Sequence, residues 1–258
     1  MQALKLPARR GWLWLAGGFA LFRKNPPLLT MLVVSYWMLA AMINLIPVVG
    51  AIAATLCIPA FSVSLMNACR ELDQGRPVGP QLLFSGFREN LKELLMLGGL
   101  YLGATITILG VSAAADGGTL MQMMLGGVSP TEEALGSGQF LAATQLALIL
   151  LTPLMMAYWY APVLAAWHGF PVGKALFFSF IACLRNWRAF LAYMAGIAVF
   201  GAIIPGILLG LLAVLTPEGL NFFATLFTIP LLLILAPVLF ASFYVSYRDV
   251  FVAVDEDA

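Results

Sequence analysis

Long apolar stretches separated by short polar ones dominate the pattern along the chain. Crossing a membrane takes about 20 mostly apolar residues in one helix. Six windows qualify: Leu28–Ile46, Ala51–Cys69, Leu94–Ala115, Phe140–Trp167, Ala189–Leu209 and Phe222–Tyr247. Because helices satisfy their own backbone hydrogen bonds in lipid, the pattern predicts an all-α fold, a polytopic membrane protein with six transmembrane helices.

Two of the windows have informative geometry. Only Pro47–Gly50 separates the first two, which predicts a tight hairpin. The fourth window has 28 residues, and a helix of that length is about 42 Å long, whereas the hydrocarbon core is about 30 Å thick. It must tilt, protrude or kink, and Pro153 and Pro162 are the expected kink positions.

The N-terminal segment has one feature of a signal peptide, because basic residues precede the apolar run Trp12–Phe22. No small-residue cleavage site follows this run. We therefore expect a retained interfacial helix, with Trp12 and Trp14 at the depth of the lipid headgroups.

Composition supports the membrane prediction. Apolar residues make up 62% of the chain and charged residues 10%, against about 45–50% and about 25% in soluble domains. A soluble protein of this length could not cover so much apolar surface with so few charges. The absence of basic runs with interleaved aromatic residues argues against a nucleic-acid partner.

The placement of charge predicts the orientation in the membrane. All 13 Lys and Arg residues fall in four segments: residues 1–24, 70–92 and 174–188, and Arg248. The only charged residues in the alternate connections are acidic: Asp116, Glu132, Glu133 and Glu218. By the positive-inside rule, the basic segments and both termini are expected in the cytoplasm.

The longest external connection, residues 116–139, contains a helix-start pattern. Ser129 is the expected N-cap, Pro130 the first helical residue, and Glu132 the residue that reaches back to the cap. We expect a short surface helix there.

The chain also repeats itself. Gly75–Ser85 aligns without gaps on Gly169–Ser179, and seven of the eleven positions are identical. A spacing of eleven residues also recurs at corresponding positions of the repeat. It separates Arg88 from Gly99 and Arg185 from Gly196, and likewise Pro59 from Arg70 and Pro237 from Arg248. We interpret the chain as a single membrane domain, residues 1–258, built from three parallel repeats and a short polar C-terminal tail, 252–258.

Each predicted unit is an in-plane amphipathic helix followed by a helical hairpin, at about 11–73, 74–169 and 170–251. In the middle copy, one helical face carries Leu83, Phe84, Phe87 and Leu91. Such a helix lies in the membrane interface. The third copy, Val172–Leu184, is apolar nearly all round, and we expect it to be buried between lipid and protein.

Five stretches carry a resemblance to a known family: Gly11–Trp14, Leu21–Pro26, Ile46–Gly50, Ser179–Asn186 and Tyr244–Asp249. They resemble an uncharacterised six-helix inner-membrane protein family of Gram-negative bacteria. More loosely, the layout is similar to the membrane domain of some glycerophosphodiester phosphodiesterases, whose catalytic domain has no counterpart here. The resemblance implies the bacterial inner (cytoplasmic) membrane and no catalytic residues.

The six apolar windows contain few residues that indicate a transport or catalytic site. None has an ionisable residue near its middle, and such a residue is the usual sign of ion-coupled transport. We expect the interior polar residues to form interhelical hydrogen bonds: Asn44, Asn67, Thr105, Thr107, Gln145 and Tyr158. Two small-xxx-small patterns, Gly99–Gly103 and Gly206–Gly210, favour close packing within the monomer over a dimer face.

One pair of residues could serve as a nucleophile dyad, His168 with Cys183. No third orienting group is evident, so an amphipathic anchor is the simpler interpretation of His168. The three cysteines, which include Cys57 and Cys69, are expected to be small core residues. Nucleotide and zinc motifs are absent from the sequence. We therefore expect no enzyme activity, no cofactor and no metal site.

Two function classes remain open. The first is a membrane component that binds membrane lipids or, alternatively, another membrane protein. The second is a permease or channel for a neutral or apolar solute. A continuous polar cavity would favour the permease, and a packed interior would favour the binding component.

The candidate lipid-headgroup contacts are Arg23, Arg88 and Arg185, each placed where an in-plane helix turns into a span. One interpretation is that they snorkel and set the orientation of the protein. The other is that the repeat brings them into a basic ring, which holds lipid phosphates by charge-assisted hydrogen bonds.

Overall fold

A computed structural model describes residues 3–127, 129, 131–215 and 220–251, and every regular element among them is a helix. Six helical stretches in this part of the chain are long and apolar enough to cross a membrane. The predicted all-α membrane architecture with six transmembrane helices is confirmed.

The N-terminal helix α1 (Arg9–Phe22) packs against the fifth and sixth spans. Trp12 is half exposed, and the headgroup depth predicted for Trp12 and Trp14 stays a prediction. Trp14 is fully buried, and its indole Nε1 donates to Asp249 Oδ2 at 3.1 Å. A methyl group at Gly18 would overlap the backbone of Ser242, so glycine lets α1 lie directly on the sixth span.

The first hairpin joins α2 (Pro26–Asn44) to α3 (Val49–Asp73). Asn25 caps α2, because its side-chain oxygen accepts the Leu28 N–H at 3.3 Å. The predicted tight connection is present. A methyl group at Gly50 would overlap the carbonyl oxygen of Ile43, so the two helices approach closely there.

The second hairpin follows a 3-10 helix, Pro80–Arg88, and consists of α4 to α8. These are α4 (Leu91–Asp116), α5 (Thr119–Gly126), α6 (Glu132–Leu135), α7 (Gly138–Tyr158) and α8 (Ala161–His168). The helix start predicted at Ser129 is wrong by two residues. Thr131 caps α6, its Oγ1 accepting the Ala134 N–H at 3.3 Å; Pro130 lies outside the described residues.

The fourth span breaks between α7 and α8, just before Pro162, as predicted; Pro153 stays inside α7. A serine hydroxyl forms hydrogen bonds with the two backbone groups that are left unpaired at the break. Ser179 Oγ accepts the Tyr160 N–H at 2.9 Å and donates to the Met156 carbonyl oxygen at 2.8 Å. The hydroxyl thus stands between two groups that an unbroken helix would pair directly.

The third hairpin follows α9 (Val172–Arg185). Its fifth span is α10 (Trp187–Ala198), a π-helical turn (Val199–Ile203) and α11 (Ile204–Leu215), and its sixth is α12 (Leu220–Phe251). Pro205 has no N–H to donate, so the regular hydrogen-bond ladder cannot continue through this turn.

The two later in-plane segments differ from each other. α9 buries one face and exposes Phe177 and Leu184 on the other, as expected for a helix between protein and lipid. The predicted middle helix is instead a 3-10 helix. Its predicted apolar face is not uniform either, because Leu83 is buried and Phe84 is about half exposed.

Both described ends of the chain meet at one end of the bundle, where the Leu4 N–H donates to the Val250 carbonyl oxygen at 3.0 Å. We call this the basic end: residues 3–24, 67–93, 167–188 and 244–251. The second spans of the three hairpins converge there. α3 contacts α8 and α12, and Trp167 of α8 packs on Tyr247 of α12 with ring centroids 5.0 Å apart.

Candidate functional site

Buried aromatic side chains fill the space between the spans toward the basic end. Tyr160 is fully buried and stacks on Phe243, and its hydroxyl donates to Ser246 Oγ at 3.2 Å. Three further rings surround it, with centroids 5.2 to 6.2 Å away: Phe190, Tyr247 and Phe251. This half of the described bundle is packed like a protein core.

Next to this packed region lies an apolar cavity of about 450 Å³. Helices of all three hairpins line it: α3 from the first, α4, α7 and α8 from the second, α10 and α12 from the third. Representative wall residues are Ile58, Tyr101, Met155, Ile197 and Phe240. The volume is within the range of about 300–1,000 Å³ that is usual for ligand pockets.

The helix break positions part of the cavity wall. Pro162 and the residues before it, Tyr158 and Trp159, all line the cavity. Tyr158 meets Tyr101 edge to face, with ring centroids 5.3 Å apart. The indole Nε1 of Trp159 is buried and has no hydrogen-bond partner among the described residues.

A second apolar cavity of about 470 Å³ lies between α1, the fifth span and α12. Trp12, Phe19, Phe200 and Phe227 are among its lining residues. Neither helix of the first hairpin contributes to its wall, so it is not shared by all three hairpins.

A polar cluster lies at the basic end, beyond the aromatic core. Asn67 is its centre: its Oδ1 accepts from Trp167 Nε1 at 2.8 Å, and its Nδ2 donates to Ser85 Oγ and Glu89 Oε1, both at 3.0 Å. The cluster therefore joins α3, the 3-10 helix and α8.

Asp73 forms a second junction at this end. Its carboxylate pairs with Arg248 at 2.7 Å and Lys24 at 3.4 Å, and it accepts from the Tyr244 hydroxyl at 3.2 Å. Exposed pairs of this kind are individually weak, about 0–1 kcal/mol. Their main effect is to connect the first and third hairpins.

The structure places the predicted headgroup residues at the three expected junctions. Arg23 follows α1, Arg88 ends the 3-10 helix, and Arg185 ends α9. All three side chains are exposed, and none forms an ion pair with another described residue. No hydrogen bond or shared partner in this part of the chain brings the three together, so the ring stays a prediction.

The proposed dyad is not assembled in the described structure. His168 Nε2 lies 2.6 Å from the hydroxyl of Tyr247. Cys183 is buried, and burial raises the pKa of its thiol, which lowers the thiolate fraction at neutral pH. Cys69 is buried too and Cys57 is partly buried, as expected for core residues.

Two packing predictions need correction. Of the interior polar residues, Asn67 forms side-chain bonds between helices, whereas Asn44 and Thr107 bond back within their own helices. The close packing expected at the small-xxx-small glycines is found only at Gly99, where a side chain would meet Leu56 Cδ2 at 3.6 Å. A side chain at Gly103, Gly206 or Gly210 would meet no described atom within 4 Å.

Comparison with known proteins finds one informative relative. A probable inner membrane protein of Burkholderia thailandensis is 38% identical over an alignment of 257 positions, which covers 97% of this chain and 94% of the relative. No family profile matches the chain, and no solved structure matches it. The looser similarity to glycerophosphodiester phosphodiesterase membrane domains stays a prediction.

Proposed function

Because the chain belongs to the same inner-membrane protein family as this Burkholderia thailandensis protein, we propose that it is a non-catalytic component of the inner membrane that holds a lipid between its three hairpins. Membrane lipids are its first partners in this proposal. Another membrane protein is the alternative partner, which would use the exposed outer surfaces of the spans.

The apolar cavity shared by the three hairpins carries the proposal. Its wall suits an acyl chain, because most of the surface that lines it is apolar and can pack against a hydrocarbon chain. The buried N–H of Trp159 is the exception in that wall. An ester carbonyl of a lipid would accept this hydrogen bond.

Lipid retention tests the proposal. The protein is extracted in mild detergent, and lipids that remain bound are counted by native mass spectrometry. Ala236 lines the cavity, and Ala236→Phe should fill part of it and release the retained lipid. The matched control is Ala142→Phe, at an exposed position of α7, which should retain lipid like the wild type. Equal retention by all three proteins would contradict the proposal.

The second candidate is a permease or channel for a neutral or apolar solute. The observation in its favour is that the cavity lies between all three hairpins. A solute pathway that opens alternately to the two sides of the membrane would have to run there. The packed aromatic core toward the basic end argues against an open path. Uptake of an uncharged fluorescent solute into proteoliposomes, dependent on the protein and reduced by Ala236→Phe, would favour the permease.

The orientation is part of the proposal. The basic end faces the cytoplasm, so that both termini are cytoplasmic, because all 13 Lys and Arg residues belong to its segments. Arg23, Arg88 and Arg185 then lie against the anionic cytoplasmic leaflet as headgroup contacts.

The three-unit repeat also stays a proposal, with support from the contacts. α1 packs on the sixth span and touches the fifth, the 3-10 helix packs on α3 and touches α2, and α9 packs on α7 and α8 and touches α4. Each in-plane segment thus lies on the hairpin of the preceding unit, with the first unit closing onto the third.

A further inference from the structure

One cation at the basic end differs from all the others. The 13 Lys and Arg residues all lie in the described part of the chain, and twelve of them are exposed to solvent. Arg70, near the end of α3, is only partly exposed, and its Nε atom is buried. Placing a cation there costs free energy unless an acceptor or an anion compensates it.

The groups around Arg70 provide little compensation. Its guanidinium carbon lies 4.3 Å from the centroid of the Trp167 ring, in a cation–π contact. A ring face does not take the place of an oxygen acceptor in the plane of the guanidinium, and Nε has no hydrogen-bond partner among the described residues.

The acidic side chains of the basic end are engaged elsewhere. Asp73 pairs with Arg248, Glu71 pairs with Arg76, and Asp249 pairs with Arg10. Glu89 accepts a hydrogen bond from Asn67, and Glu93 accepts one from the Val172 N–H. These five are all the carboxylates that the structure describes at this end. Arg70 is left without one, whereas Arg248, its counterpart in the predicted repeat, has one.

We infer that Arg70 binds a phosphate group that reaches the basic end from outside the protein fold. A guanidinium presents N–H donors in a planar fork that matches two phosphate oxygens, and Trp167 holds that plane in position. The phosphate belongs either to a lipid headgroup or to a free phosphate ion. This site is separate from the apolar cavity and does not depend on the lipid proposed there.

Thermal unfolding in neutral detergent tests the inference with three probes at constant ionic strength: inorganic phosphate, phosphatidylglycerol, and diacylglycerol with the same acyl chains. Tm should rise with the logarithm of the phosphate or phosphatidylglycerol concentration. Diacylglycerol lacks the phosphate and should have no effect through Arg70. A response to phosphatidylglycerol alone identifies a lipid headgroup, and a response to inorganic phosphate as well identifies a free anion site.

Substitutions link the response to Arg70. Arg70→Met should weaken the phosphate-dependent stabilisation by at least about tenfold, and its Tm without ligand should equal or exceed that of the wild type, because an uncompensated charge is removed. Arg70→Lys keeps the charge over Trp167 but loses the fork and Nε, and should fold normally and respond weakly. Arg9→Met is the matched control at an exposed arginine of the basic end to which no headgroup contact is assigned, and it should respond like the wild type.

Asp255, Glu256 and Asp257 lie outside the described residues, so a fourth variant neutralises them as Asn, Gln and Asn. It should respond like the wild type. If neutralising these residues removes the dependence on Arg70, their carboxylates are its partner and the inference is wrong. A wild-type response in Arg70→Met, or a ligand-free Tm below the wild type in both Arg70 variants, would also overturn it.

Discussion

Glycine at a helix contact is a residue-scale feature whose effect depends on its neighbours. A methyl group at Gly86 would overlap the carbonyl oxygen of Ala60, and the Gly86 N–H donates to Ser64 Oγ at 2.9 Å. Gly86→Ala should therefore lower the free energy of unfolding by about 1–3 kcal/mol, as overpacking does. Gly103→Ala, in open surroundings, should be neutral or stabilise by about 0.5–1 kcal/mol. Denaturant unfolding in detergent compares the two, and equal effects would contradict the packing described.

Ser179 shows how one hydroxyl supports a whole element. It links Tyr160 and Met156 across the break in the fourth span. Ser179→Ala should leave a buried N–H and a carbonyl oxygen unpaired, and should lower the free energy of unfolding by about 1–3 kcal/mol. The matched control is Ser85→Ala, at the position that the repeat aligns with Ser179; its hydroxyl spans no helix break. Hydrogen exchange at Tyr160 should accelerate in Ser179→Ala only, and an unchanged rate there would count against the role of the hydroxyl.

The aligned in-plane segments also differ as elements. The middle one has nine residues in a 3-10 helix, between extended residues Gly79 and Glu89. A 3-10 helix rises about 2.0 Å per residue against 1.5 Å in an α-helix, so it covers more distance with the same residues. Contacts at Gly86 hold this path on α3. Sequence identity with Gly169–Ser179 could not reveal this difference.

Orientation is a property of the whole molecule. A reporter fused after Gly126, in the acidic connection, should be outside the cytoplasm, and one fused after Gly75 should be inside, because lysine and arginine resist translocation. Alkaline phosphatase activity marks external fusions and green fluorescence marks internal ones. A fluorescent, phosphatase-inactive fusion at Gly126 would reverse the assignment.

Lipid selection is a second whole-molecule property. Each arginine near an anionic surface contributes about 1 kcal/mol, so Arg23, Arg88 and Arg185 together could favour anionic lipids roughly a hundredfold. Native mass spectrometry with defined lipids should show this preference reduced in Arg88→Gln and Arg185→Gln. If all three proteins retain anionic and zwitterionic lipids equally, the arginines serve only as interfacial anchors.

The sequence by itself determined the features that depend on neighbours along the chain. Hydropathy over about 20 residues located the six spans. Pro153 and Pro162 were the expected kink positions in the fourth because proline removes a helical hydrogen bond, and the helix breaks only at Pro162. The one-sided placement of lysine and arginine predicted an orientation that remains to be tested. These are local properties, so they can be read without knowing which helices meet.

Tertiary structure decided which side chains meet across long stretches of chain. Trp14 donates a hydrogen bond to Asp249, 235 residues away in the sequence, and no local pattern could indicate this contact. Likewise, the positive charge of Arg70 is incompletely compensated because the five acidic side chains described at the basic end bond to other residues. The cavity exists only because helices from all three hairpins line it. Periodicity along one helix carries no information on such distances, since they are set by the packing of helices that are remote in sequence.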